Sequence, residues 1–413
     1  MKNILLPLSV AGIAVAAAVV STKPQPLTAK WEKHQLSRYF WAEGACAADV
    51  NGDGETDVLS GPYWFQGPDF KTSHTIYPAT QSFQAGDEKL EGFEGGLGKA
   101  NAYSDNFLSF AHDLSGDGKP DYIVCGFPGK ETFWYENPGE TDGEWKRHTA
   151  LAVTDNESPM FTDVDGDKQP DLLCMSGGTV GYATFDPKNP EAEWTWHPVS
   201  AKDDGAYQRF THGIGHGDIN GDGRTDILEA KGWWEQPAGW DGKAPWKRHD
   251  ATFGTKGGAQ MFGYDVNADG RTDVITSLDA HGFGLAWFEQ NEDATFTRHL
   301  ITGTPEEKGS TGIIFTQPHA IDLADIDGNG TLDIITGKRF WAHGPDDDPE
   351  PNEPAVLYAF LLERKDGTAT YTAGIIDDNS GVGCQVMATD VNGDKKPDIL
   401  VANKKGCFVH LQK

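Results

Sequence analysis

The stretch Asp49-Val50-Asn51-Gly52-Asp53-Gly54-Glu55-Thr56-Asp57 carries side-chain oxygens at its positions 1, 3 and 5, a turn glycine at 6 and a last carboxylate at 9. Calcium takes six to eight oxygen ligands, and a short loop can supply them only by alternating oxygen-bearing side chains on a turning backbone, here with the Glu55 carbonyl at position 7. One such loop decides little, because acidic glycine turns are common on surfaces. The pattern returns, however, at Asp113, Asp163, Asp218, Asp265, Asp325 and Asp390, at intervals of 47 to 65 residues. That period suits one four-stranded propeller blade.

Outward from each loop the same grammar repeats. A Gly- or Ala-containing strand (A) precedes it and a short β-branched strand (B) follows, as in Val58-Leu59-Ser60 and Val274-Ile275-Thr276. An aromatic strand (C) comes next, for example Phe133-Trp134-Tyr135 and Trp233-Trp234. Strand D opens with an aromatic residue and places His three positions later: Trp145 with His148, Trp194 with His197, Trp246 with His249, Phe296 with His299. The chain ends after strand C of the last repeat, and the missing D signature stands at the other end, in Trp31-Glu32-Lys33-His34. The expected fold is therefore all-β: a seven-bladed β-propeller closed by the N-terminal strand, which completes the last blade and removes an open sheet edge.

These residues resemble the FG-GAP/VCBS repeat family, whose propeller blades carry calcium in the A to B loop. The resemblance covers nearly all of the chain after its first segment. It implies a ligand set of Asp49, Asn51, Asp53 and Asp57; Asp113, Ser115, Asp117 and Asp121; Asp163, Asp165, Asp167 and Asp171; Asp218, Asn220, Asp222 and Asp226; Asp265, Asn267, Asp269 and Asp273; Asp325, Asp327, Asn329 and Asp333; and Asp390, Asn392, Asp394 and Asp398. Lys168 and Lys395 replace the turn glycine, which costs up to about 1 kcal/mol, and Ser115 is a weaker ligand. The second, third and seventh sites should be the looser ones.

The formal net charge of −29 excludes nucleic acid as a partner, since a phosphate backbone would be repelled over most of the surface, and it calls for cations. Residues 1–20 read as a signal peptide: Lys2, an apolar run from Ile4 to Val20, then polar residues, with cleavage expected after Ala16 or Ala18. No later apolar run reaches membrane length, so residues 21–413 are expected as one secreted or periplasmic propeller domain. The five cysteines read as buried thiols, with Cys384 and Cys407 the pair that could bridge within one blade.

Function is expected on the face opposite the calcium loops, where the D to A and B to C connections lie and where the long inserts Pro78 to Phe107 and Lys338 to Pro354 fall. Six residues before each loop's first Asp stand Glu43, Phe107, Glu157, His212, Ala259, His319 and Cys384, which should ring the channel mouth. Glu43, Glu157, His212 and His319 there would bind a further divalent metal or act as acid and base, with Tyr207 and Arg209 beside them; the alternative is a polar channel lining. The aromatic set including Trp64, Trp233 and Trp341 is read as exposed and suited to stacking on sugar rings, the alternative being the inter-blade packing that most propeller tryptophans serve. More loosely, the chain resembles the propeller domains of polysaccharide lyases and aldos-2-ulose dehydratase, which implies carbohydrate elimination. The alternative is a non-catalytic adhesion propeller of the integrin type that takes a cell-surface ligand.

Overall fold

The computed structural model describes residues 25–26, 29–79, 103–139, 143–254 and 256–413. The expected signal peptide and most of the insert after Pro78 lie outside the described residues. Among the described residues there are strands and turns but no helix, and so none long and apolar enough to cross a membrane. The fold is all-β, of propeller type.

Its unit is a four-stranded antiparallel meander. The first runs Cys46–Ala48, Asp57–Ser60, Tyr63–Phe65, Ser73–Thr75. Each acidic loop joins the first two strands of such a unit, as the sequence grammar requires. The continuous strand Lys146–Thr162 ends the second meander and opens the third, and Ile214–Gly217 pairs in parallel with Gln260–Tyr264 to link the fourth and fifth. The last unit is Val386–Thr389, Asp398–Asn403 and Gly406–Gln412, with Trp31–Ser37 hydrogen-bonded to Gly406–Gln412 as its outer strand. Val58, Phe65 and Phe70 of the first meander share one apolar cluster with Val391, Leu400 and Val409 of the last.

The repeated histidines are packing residues. His74, His148 and His299 stack on Trp64, Trp134 and Trp287 at 4.2 Å between ring centroids, and His249 stacks on Trp233 at 3.9 Å. A second repeat holds neighbouring meanders together: the side-chain amides of Asn137, Gln236, Gln290 and Gln412 donate to the carbonyls of Val50, Val164, Ile219 and Ile326 in the preceding unit, at 2.7–2.9 Å. Each acceptor is position 2 of an acidic loop, so loop geometry and inter-unit packing are coupled.

All five cysteines are free and buried, as read, and the alternative Cys384–Cys407 bridge is not formed. Two expectations are corrected. Trp64, Trp233 and Trp341 are 0%, 6% and 6% exposed, so they are core and not sugar platforms. Each loop also needs two left-handed residues, not one. Position 4 has positive φ (Gly52 at 73°, Ala268 at 62°) as does position 6 (Gly54 at 91°, Lys168 at 73°, Lys395 at 69°).

Candidate functional site

Two regions collect ionisable side chains. At the loop face the first aspartate of each loop folds the backbone around itself: Asp49 accepts the amides of Gly52, Asp53 and Gly54 at 2.8–3.1 Å. The ninth residue is buried and clasps two strands, as Asp226 does by accepting from Ile219 and Gln236 at 2.9 Å each. The same pair of backbone bonds recurs at Asp57, Asp273, Asp333 and Asp398. Burial raises these carboxyls, Asp171 and Asp333 to about 7 and Asp121, Asp226 and Asp273 to about 6. In the loops begun by Asp163 and Asp325, one oxygen each of positions 1, 3 and 9 lies within 4.8 Å of the others, close enough to share one cation.

The opposite face carries a cup of about 470 Å³. Aromatic residues Tyr103, Phe107, Phe127 and Phe210 line it together with Glu157, His212, His281, Arg339, Ala342 and His343. Its polar floor is one contiguous cluster. His212 Nε2 lies 3.2 Å from His319 Nε2, and Glu157 Oε2 is 3.4 Å from His319 Nε2 and 3.7 Å from His212 Nε2. The His281 ring lies 4.8 Å and 4.9 Å from those of His212 and His319, and 4.4 Å from His343. Arg339 is fully buried beneath them, donating through Nε and Nη2 to both oxygens of Glu43 at 3.1 and 3.0 Å. Its Nη1 points to Glu157 Oε2 at 3.3 Å and to His319 Nε2 at 3.0 Å.

Glu43 and Glu157 are opposed by the Arg339 guanidinium and, through its charge on Glu43, by the buried ammonium of Lys404. Burial holds His319 down at about 3, helped by the Arg339 charge, and pushes His281 well below the usual imidazole range. Burial would raise Glu157, but His212 and His319 outweigh it and hold the carboxyl well below its ordinary value. Imidazoles held neutral by burial at His281 and His319, beside the Glu157 carboxylate, suit a cation. The ligand atoms of Glu157, His212, His281 and His319 lie within 4.8 Å of one another, and His281 Nδ1 is buried without a hydrogen-bond partner. These residues therefore fit a divalent ion.

Of the sequence candidates, Glu43, Glu157, His212 and His319 are brought together, and Phe107 lines the same cup. Tyr207 and Arg209 are not. The Tyr207 hydroxyl faces Glu229 at 3.5 Å in an adjoining cavity that shares only His212 and Phe210 with the cup, and Arg209 packs its side chain on Gly129. The cation of the site is Arg339. It stands six residues after the ninth aspartate of its loop, as do Phe127 and Lys404 in theirs, and this register was the available signal. Lys404 is buried and bonds the carbonyls of Trp341 and Ala342, fixing the wall that carries His343. His281 enters through an enlarged B to C connection and has no fixed register.

Fold and loops define an all-β protein of stacked meanders with acidic A to B loops. Residues 113–174 and 265–336 match the FG-GAP-like repeat, so the resemblance read from the loops holds over those residues. No curated protein matches the sequence. Similar solved structures include an Agrocybe aegerita lectin that recognises non-reducing terminal N-acetylglucosamine, at 17% identity over 85% of this chain and 81% of that one (TM-score 0.46). BBS1N in complex with ARL6DN is similar at 9% identity over 93% and 97% (TM-score 0.48), and rhamnogalacturonan lyase YesW at 14% over 93% and 74% (TM-score 0.43).

Proposed function

We propose that this chain is a secreted or periplasmic, calcium-binding, seven-bladed propeller that processes carbohydrate in the cup opposite its acidic loops. The convergence of Glu157, His212 and His319 over the Glu43–Arg339 pair, at the floor of an aromatic-walled cavity, carries the reading. Aromatic walls suit the C–H faces of a sugar ring, and an imidazole at the floor suits proton abstraction beside a carbonyl. In an elimination, His212 takes the proton on the carbon next to the carbonyl. The C–O bond one carbon further breaks, a C=C bond forms, and the proton returns to the departing oxygen as water or an alcohol. Arg339 and Glu43 hold Glu157, which orients the imidazoles, so these three act as positioning residues.

The 3.2 Å approach of two imidazole nitrogens favours a second use of the same groups, with Glu157, His212, His281 and His319 as ligands of one divalent ion. Such an ion supplies Lewis acidity toward a carbonyl or hydroxyl oxygen. Ring closure is supported by the pairing of Trp31–Ser37 with the last strand and by the apolar cluster shared between first and last meanders.

The test is turnover of a panel of keto-sugars and polysaccharides, read as new unsaturated product, by the native protein and by His212→Ala and His319→Ala. Loss of turnover in both, with melting temperature and loop calcium unchanged in His212→Ala, supports the reading. Full activity in both variants refutes the cup, and ligand capture without turnover in any protein favours the adhesion alternative. Metal content of the dialysed protein separates the acid–base use from the ligand use.

A further inference from the structure

A cavity of about 650 Å³ lies apart from the cup. It opens on the acidic-loop face, between Asp165 to Asp167 of the third loop and Arg224, Thr225 and the segment 236–242 of the fourth meander, with Tyr182, His197 and Trp246 also lining it. We propose that this cavity is a second carbohydrate site, independent of the cup, that binds a neutral sugar ring without transforming it.

The aromatic geometry comes first. Trp240 belongs to the connection between Gly232–Glu235 and Lys247–Asp250, outside the repeated grammar. Its indole N–H donates to Ala244 O at 2.7 Å and Asp241 accepts the Lys243 amide at 3.1 Å, so the loop fixes the indole while leaving it half-buried. The surrounding rings do not stack on it. Trp246 stands at 86° with centroids 5.7 Å apart, His197 at 63° and Tyr182 at 48°, each at 6.4 Å. Tilted neighbours leave aromatic surface unpaired. In the next meander, by contrast, Phe253 closes on Phe288 and Phe296 in the core.

The polar edge narrows the ligand class. Outside the ligand set of the third loop the rim carries the exposed Asp241 carboxylate, which accepts the amide and the ammonium of Lys243 and has lone pairs left for a hydroxyl, and the buried Trp246 Nε1 has no acceptor among the described residues. The one guanidinium at the rim, Arg224, is bonded to Asp222 and to Gln236 O. Gln236 in turn spends its amide on Val164 O. With Arg224 bonded within the protein and Lys243 paired with Asp241, the rim offers an anionic ligand no free cation among its described residues, whereas Asp241 can accept from a hydroxyl donor. An organic ammonium ion would also suit aromatic faces beside carboxylates. The volume, however, lies within the range of sites for whole small-molecule ligands and exceeds what one alkylammonium group fills, which favours the sugar.

The experiment uses the full protein with calcium present, an array of neutral oligosaccharides of glucose, galactose, mannose, xylose and N-acetylglucosamine, and tetramethylammonium as the competing probe. At least one neutral oligosaccharide is expected to bind and to perturb tryptophan fluorescence. Trp240→Ala should weaken that binding about tenfold or more, equivalent to about 1.4 kcal/mol, and Asp241→Ala, at an exposed position, provides a second variant that keeps the fold. His212→Ala should leave the binding intact, which separates this site from the cup. A silent array, binding unchanged in both loop variants, or saturation by tetramethylammonium alone overturns the proposal.

Discussion

At the acidic-loop face, nine consecutive residues make each site, and their carboxylates are held mainly by backbone amides of the same loop and its own strands. At the cup, Glu43, His212, His281, His319 and Arg339 arrive from five separate connections and Glu157 from the long strand Lys146–Thr162, and each depends on the others for its charge balance. The first region is local and repeated, so losing one copy leaves the others standing. The second is non-local and single, so one substitution should disable all of it.

The largest expected effect breaks the cup alone. His212→Ala should lower turnover by about 10²–10⁴-fold in steady-state assays while thermal melting stays near wild type, and His319→Ala, fully buried, should lower turnover as far together with the melting temperature. Next comes Arg339→Met, which leaves Glu43 and Glu157 facing each other without their cation; it should cost about 3–5 kcal/mol in urea unfolding. If Arg339→Met unfolds at the wild-type denaturant midpoint, the cup is not the tightly coupled unit described here.

On the loop face the effects should be smaller and graded. Asp226→Ala removes the acceptor of two buried backbone amides and should cost about 1–3 kcal/mol, with cup chemistry following only as stability falls. Chelation should lower the melting temperature through all loops together, since each ion at a hundredfold excess over its dissociation constant adds about 2.7 kcal/mol.

The pH response carries a definite sign. Burial raises Asp171 and Asp333 from the ordinary carboxylate value to about 7, so the folded metal-free protein binds protons that the unfolded chain has released. This contribution is fully present below the unfolded value near 4 and is lost as pH rises through about 7. Melting curves of chelated protein should therefore decline over that window, and calcium should abolish the decline. The smallest effect is expected from Lys168→Gly, which relieves a lysine held at φ 73° and should stabilise by up to about 1 kcal/mol.

The acidic loops were legible residue by residue because backbone turning and ligand alternation act within nine positions, and the histidine of strand D was legible as packing because it recurs with its aromatic partner. Glu43, Glu157, His212 and His319 were also within reach, since counting back from the loops assigns them one register on one face. That count could not choose between Arg209 and Arg339 as the cation, because both follow strands leading to the same end and charge alone does not say which one turns inward.

By itself, then, the sequence determined the repeat, the loop chemistry, the all-β class and the face on which non-repeating polar residues gather. Each of these follows from interactions between residues close along the chain, or from a period that copies them. Only the tertiary structure decided that Arg339 lies under the imidazoles, that His281 joins them from a loop without register, that Trp64, Trp233 and Trp341 are core, and that Trp240 stands beside an open cavity. Those outcomes depend on which side chains from distant connections share a dry volume, where burial and charge balance fix orientation, and no local pattern encodes that sharing.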